Sequence, residues 1–206
     1  MTTRGPYRLK RRAESQAGTR LRIVEAAVAL HRTIGPARTT ISAIAERAGV
    51  QRLTVYRHFP DEIALLMACS GHFLALHPFP DPAPWSEIAD PHRRLETGLT
   101  ALYAYYAETG ELWSAVLRDA EVHEPTRRIL ERRNDSWSAI RTVLTEGFRA
   151  RGKARKVVEA AVAHAVDFHT WQSLGERGGL AGAQVVELMV AMVRRAAAGS
   201  GPRAAH

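Results

Sequence analysis

Apolar residues recur along most of this chain with the 3.6-residue period of amphipathic helices. Between Gly18 and Ile34, the residues Ile23, Ala27, Leu30 and Ile34 stand at i, i+4, i+7 and i+11, Val24 and Val28 widen the stripe, and Gly-Pro-Ala-Arg at residues 35–38 ends it. Thr39 and Thr40 offer hydroxyl caps for a second helix, whose Ile41, Ile44, Ala45 and Ala48 follow at i, i+3, i+4 and i+7. Gly49 suits the left-handed conformation of a tight turn, Val50 packs inward after it, and Val55 and Phe59 form an i, i+4 pair on a third short helix. Residues 18–59 therefore read as helix, turn, helix.

The same period continues to the end of the chain with one interruption. A helix from about Asp61 to Leu76 must stop at Pro78, Pro80, Pro82 and Pro84, which alternate along a stiff connector incompatible with a helix. Leu95, Leu99, Leu102, Tyr103 and Tyr106 then form a helical stripe, and a shorter piece holds Leu112, Trp113 and Val116. Trp137, Ile140, Leu144 and Phe148 mark another helix. Between Ala154 and Leu174 many alanines permit close helix approach, and Val185, Leu188, Met189, Met192 and Val193 form an apolar face on a terminal helix. No segment reads as a strand and no internal repeat is present, so the expected fold is all-α.

Charge singles out one end of this helical chain. The net charge is +8 over 206 residues. Residues 1–60 hold 12 Lys or Arg against three acids (Glu14, Glu25, Glu46), a balance of +9, whereas the remainder is close to neutral. A basic face confined to the N-terminal helices points to a polyanion, either nucleic acid or an anionic membrane surface. Cys69 is the only cysteine, which excludes an intrachain disulfide and fits a reducing compartment. No uninterrupted apolar stretch reaches the roughly 18 residues of a membrane span, and the start of the chain lacks a signal-peptide core. A soluble cytoplasmic protein is expected.

The third helix carries the most specific chemistry. With Val55 and Phe59 facing inward, Gln51, Arg52, Thr54, Tyr56, Arg57 and His58 surround its open face with donors and no acid. Arg pairs bidentately with guanine, Gln with adenine, and Thr and Tyr hydroxyls reach phosphate oxygens, as a helix in a major groove requires. Tyr56 and Phe59 are open to a plainer reading as core aromatics, and His58 as a satisfied surface histidine.

Residues 20–68 resemble the DNA-binding domain of TetR-type transcriptional regulators. The resemblance rests on "RIVEAAVAL", on Gly35 followed by Thr39 and Thr40, on "IAERAGV" across the turn, and on "TVYRHFPD" running into "ALLMA". It implies an all-α protein with a basic flexible arm (1–17), a helix-turn-helix domain (18–62), a larger helical ligand-binding and dimerisation domain (63–198) and a flexible tail (199–206). It implies DNA contacts from Thr39, Thr40, Gln51, Arg52, Leu53, Thr54, Tyr56, Arg57 and His58. The chain departs from the family pattern at His31, Gln51 and Leu53, and at Glu62, where a Lys is common. The arm, with Arg4, Arg8, Lys10, Arg11 and Arg12, either tracks phosphates, reaches into a minor groove, or stays unordered and clear of the duplex.

For the rest of the chain the resemblance implies a homodimer built on the last two long helices, with Val158, Val162, Val185, Leu188, Met189 and Met192 as its apolar contacts. It further implies a small, mainly apolar effector, a repressor released by that effector, and a double-stranded operator. Tyr103, Tyr106, Trp113, Trp137 and Phe168 either line the effector pocket or form plain core. Catalysis has no signature here. His164 and His169 are five residues apart, about 140° around a helix, so they do not share one ion. No HExxH, phosphate-cradling Gly loop or activated nucleophile occurs. A regulator with no enzymatic activity, cofactor, metal or membrane partner is therefore expected; the competing class is a helical interaction protein using its basic face on anionic lipid or RNA.

Overall fold

The computed structural model describes the backbone of residues 5–198 and the side chains of residues 13–198. All regular elements among these residues are helical, as the periodicity requires. The described chain divides into two compact units, one holding residues up to Pro78 together with Glu111–Arg132, the other Phe79–Gly110 together with the chain from Arg133 onward.

The first unit contains α1 (Gly5–Thr33), a 3-10 turn (Pro36–Arg38), α2 (Ile41–Arg47), α3 (Arg52–His58), α4 (Glu62–Leu76), the last turns of α6 (Pro91–Ala120) and α7 (Glu124–Glu131). Its core joins Ile23, Val24 and Ala27 of α1 to Ile44 and Ala45 of α2, Val55 of α3 with the adjacent Phe59, and Leu65 and Cys69 of α4. Ile23, Ala27 and Val55 are completely excluded from solvent. The branched side chains of Ile23 and Val55 each contribute about 1.5–3 kcal/mol by leaving water. Burial also pushes the Cys69 thiol up to about 12, so it serves as packing and not as a nucleophile.

Residues 5–17, expected as part of a flexible arm, continue α1 instead. Leu9, Lys10, Arg11, Arg12, Ala13 and Glu14 are good helix formers, and Pro6 stands in the first turn, where its missing N–H costs nothing. Arg4 and the tail from residue 199 lie outside the described residues, as do the side chains of Arg8, Lys10, Arg11 and Arg12.

The second unit contains α5 (Ala83–Ser86), α6 up to Gly110, α8 (Asn134–Thr145), α9 (Lys153–Ala165), α10 (Phe168–Trp171), a π turn (Gln172–Arg177) and α11 (Gly182–Ala198). Three features differ from the sequence reading, each for a local reason. The proline connector includes the one-turn α5, because Pro82 and Pro84 occupy its cap and first turn and Asp81 accepts from the Ala83 amide at 3.0 Å. α6 runs unbroken through Gly110, where a Cβ would approach the Trp171 ring within 3.2 Å, so this glycine allows close helix packing and does not end the helix. The alanine-rich stretch breaks after Ala165, where Asp167 caps α10 by accepting from the His169 amide at 2.8 Å.

Two buried tyrosines and one buried arginine stabilise the ends exposed by such breaks. Tyr103 Oη donates to the Ala165 carbonyl at 2.6 Å and Tyr106 Oη to the Val166 carbonyl at 2.7 Å, satisfying acceptors left at the end of α9. Arg94, 7 % exposed, donates to the carbonyls of Ile88, Val143 and Glu146, gathering the entry to α6 and the end of α8.

Candidate nucleic-acid interface

The turn between α2 and α3 is fixed at both ends by backbone chemistry. Thr40 caps α2 by accepting from the Ala43 amide at 3.2 Å. After the helix, Gly49 adopts φ +64°, the Val50 amide bonds the Ala45 carbonyl at 2.9 Å and the Gly49 amide the Glu46 carbonyl at 3.1 Å. These paired bonds are the Schellman arrangement, and the positive φ is why glycine stands there. Inward Val50, half-buried, and Val55 then set the angle at which α3 leaves the turn.

On α3 the expected contact residues fall on its open side. Arg52, Leu53, Tyr56 and Arg57 are exposed, as is the preceding Gln51, while Thr54 and His58 are half-buried at its edges and Val55 alone is fully inside. Leu53 is 67 % exposed, the largest apolar exposure on this helix. Thr40 is exposed, whereas the half-buried Thr39 uses its hydroxyl to donate to the Gly35 carbonyl at 2.7 Å. Burial and the nearby Arg20 and Arg57 guanidinium groups hold the His58 imidazole below its usual range.

Two features of this surface are absent from the sequence pattern. Arg20 Nη1 donates to the His58 carbonyl at 2.9 Å and its guanidinium lies 4.1 Å from the Phe59 ring centroid, so a residue of α1 caps and clamps the end of α3. Thirty-eight residues separate Arg20 from His58, and no local spacing announces the contact. Asp119 is the other. Only 4 % exposed, it accepts from the Ala37 amide at 2.9 Å and from Arg118 at 2.8 Å, holding the 3-10 turn that precedes α2. Gly35, at φ +90°, leaves room for that carboxylate, which a Cβ would overlap. Beside it, burial lowers the His31 pKa to about 4, with Asp119 opposing and His123 reinforcing the shift.

Glu62, the departure from the common Lys, points to a different partner. Its carboxylate lies 3.3 Å from His123 Nε2, in the first turn of α4 where a negative group suits the helix dipole. Asp61 caps the same helix by accepting from the Ala64 amide at 2.7 Å. Glu62 therefore ties α4 to the start of α7.

The residues expected around an effector do not form one group. Tyr103, Tyr106 and Phe168 are buried in the second unit, where Tyr106 packs edge-on to Phe168 at 5.3 Å and stacks with the half-buried Trp137 at 6.1 Å. Trp113 belongs to the first unit. A groove of about 960 Å³ opens elsewhere in the second unit, and Tyr103 is the one member of the five that lines it.

The expected dimer residues separate as well. Val158, Val162 and Val185 are fully buried and Met189 is 5 % exposed, so these four are already covered within one chain, where α9 packs on α11 and on α8. Leu188, 45 % exposed, and half-buried Met192 keep surface for a partner, as does Val157 at 54 % exposed. Periodicity finds both faces of such a helix pair but does not tell which is already covered. No group of three potential metal-ligating side chains occurs among the described residues, and no single helix there is long and apolar enough to cross a membrane.

Residues 23–69 match the sequence model of the bacterial regulatory proteins of the tetR family. The first unit contains a TetR-type domain. Solved structures extend the likeness to the fold of the whole chain. A TetR-like transcriptional regulator from Rhodococcus sp. superposes with a TM-score of 0.64 at 16 % identity, covering 88 % of this chain and 96 % of its own. NalD, the secondary repressor of the MexAB-OprM multidrug efflux pump in Pseudomonas aeruginosa, gives 0.59 at 21 % identity, covering 89 % and 97 %. FadR from Bacillus subtilis, solved in complex with stearoyl-CoA, gives 0.55 at 17 % identity, covering 87 % and 98 %. No curated protein matches the chain. It has the fold of a TetR-family transcriptional regulator.

Proposed function

We propose that this protein is a ligand-responsive transcriptional repressor that binds a palindromic DNA operator as a homodimer and is released by a small, mainly apolar molecule. The observation that carries this reading is the outward side of α3. Gln51, Arg52, Leu53, Tyr56 and Arg57 are exposed together with no acid among them, on a helix whose end Arg20 clamps. A preorganised face of donors loses little conformational freedom on entering a major groove. Leu188, Met192 and Val157 are the surface offered to a second copy, and the second unit is the sensor.

Selection from a random duplex pool tests the reading. The recovered sites are palindromes whose half-site centres lie one helical turn, or a multiple of it, apart. Arg52→Ala and Gln51→Ala each relax preference at defined base positions, at a cost of roughly 1–3 kcal/mol, whereas Tyr56→Phe weakens all sequences alike. A pool that stays random after repeated selection removes the operator-binding reading.

A further inference from the structure

The groove in the second unit carries a chemistry opposite to that of the chain as a whole. One wall is α6, which presents Thr100, Ala104 and Ala107; the other is α11, which presents Ala183, Val190 and Ala191. These small side chains leave open the volume of about 960 Å³ that larger residues would fill, and such a space is on the scale of small-molecule sites. Trp171 and Tyr103, 6 % and 2 % exposed, lie at its depth. Trp171 is fixed there by Phe168, with ring centroids 5.5 Å apart, and by Tyr106 at 5.7 Å.

The charges are the informative part. Glu96, Glu176 and Glu187 line the groove against a single guanidinium, Arg194. None of these three carboxylates has an ion-pair or hydrogen-bond partner among the described residues, although Glu146 and Glu159 of the same unit pair with Arg94 and Arg155. The π turn helps to place this charge, because its wider winding carries Gly175 and Glu176 to the groove. A chain of net charge +8 thus holds an acidic, aromatic-floored groove with apolar walls. Carboxylates attract a cation, and an aromatic floor with alanine and valine walls requires an apolar body around it. A bare metal ion does not fit, since no three ligating side chains converge among the described residues.

We propose that this groove binds a hydrophobic organic cation. The proposal gives the chemical class of the effector in the reading above and rests on that reading only for its regulatory consequence, so binding is measured without DNA. Tetraphenylphosphonium and tetraphenylborate have nearly the same size and shape and opposite charge, and isothermal titration of the full chain with each is the test. The phosphonium ion binds about tenfold or more tightly than the borate, against the preference that the net charge of the chain alone would give. The double variant Glu176→Gln/Glu187→Gln reverses most of this preference. Ala191→Trp and, on the opposite wall, Ala104→Phe fill the groove and abolish phosphonium binding; all of these positions are exposed, and unchanged thermal unfolding verifies that each variant folds. The proposal is overturned if the borate binds as tightly at a site that Ala191→Trp blocks, or if phosphonium binding survives both filling variants. It is equally overturned if the wild type binds no phosphonium and Ala191→Trp instead dissociates a dimer, which would give the groove to a second copy of the chain.

Discussion

His31 illustrates how one side chain can set a property of its whole unit. Its pKa is lowered from 6.5 to about 4, chiefly by burial, so the folded state holds it neutral while the unfolded chain protonates it first. The unfolded state therefore binds more protons between these values, and stability falls as the pH drops through this window. The full loss is about 3 kcal/mol and is complete below the folded pKa. Denaturant titrations from pH 7 to pH 4 should show that slope in the wild type, and His31→Leu should flatten it; equal slopes would place the acid sensitivity elsewhere. Leu53 makes a second residue-level prediction. An exposed leucine among donors in a major groove suits the 5-methyl group of thymine. Replacing thymine by deoxyuridine at one operator position should weaken wild-type binding by roughly 1 kcal/mol and leave Leu53→Ala indifferent. If no single substitution distinguishes the two proteins, Leu53 reads no methyl group. The outward positions of α3 were legible in the sequence because inward and outward positions on one helix differ in polarity. Arg20 and Asp119 were not, since each acts on backbone atoms far away in the chain, and nothing in a charged residue's identity names such a partner.

Among the elements, α2 and α3 lie where the caps and turn glycine put them, because Thr40, Gly49 and Val50 act within their own turns. The breaks in the second unit were less legible for the converse reason. Gly110 looks like a helix end in isolation, yet it is retained inside α6 by its contact with Trp171, 61 residues later. The interruption after Ala165 has no proline or glycine to signal it and depends on the hydroxyls of Tyr103 and Tyr106. The helix pair α9 and α11 has a testable outer face. Leu188→Arg or Val157→Arg places a charge on the surface proposed for a second copy, and should yield folded monomers whose operator affinity is strongly reduced. Val185→Arg should instead unfold the second unit, because that side chain is fully buried in one chain. Sedimentation that finds Leu188→Arg still dimeric would move the interface to another face.

At the scale of the whole molecule, α6 is the one helix whose residues are divided between the two units among the described residues, carrying Tyr103 and Tyr106 in one and Asp119 in the other. A ligand that distinguishes two states of the second unit alters DNA affinity only by its difference in affinity for those states, and a 100-fold difference corresponds to about 2.7 kcal/mol of coupling. That sensing step presupposes specific DNA binding, so the decisive measurement concerns the wild-type chain without any effector. Fluorescence anisotropy with the selected operator and with a scrambled duplex of equal length, over a series of salt concentrations, separates sequence reading from charge attraction. Both duplexes should weaken as salt rises, with the operator remaining at least about a thousandfold tighter at physiological salt. Equal affinity for the two duplexes at every salt concentration would contradict the assignment of α3 as a recognition helix.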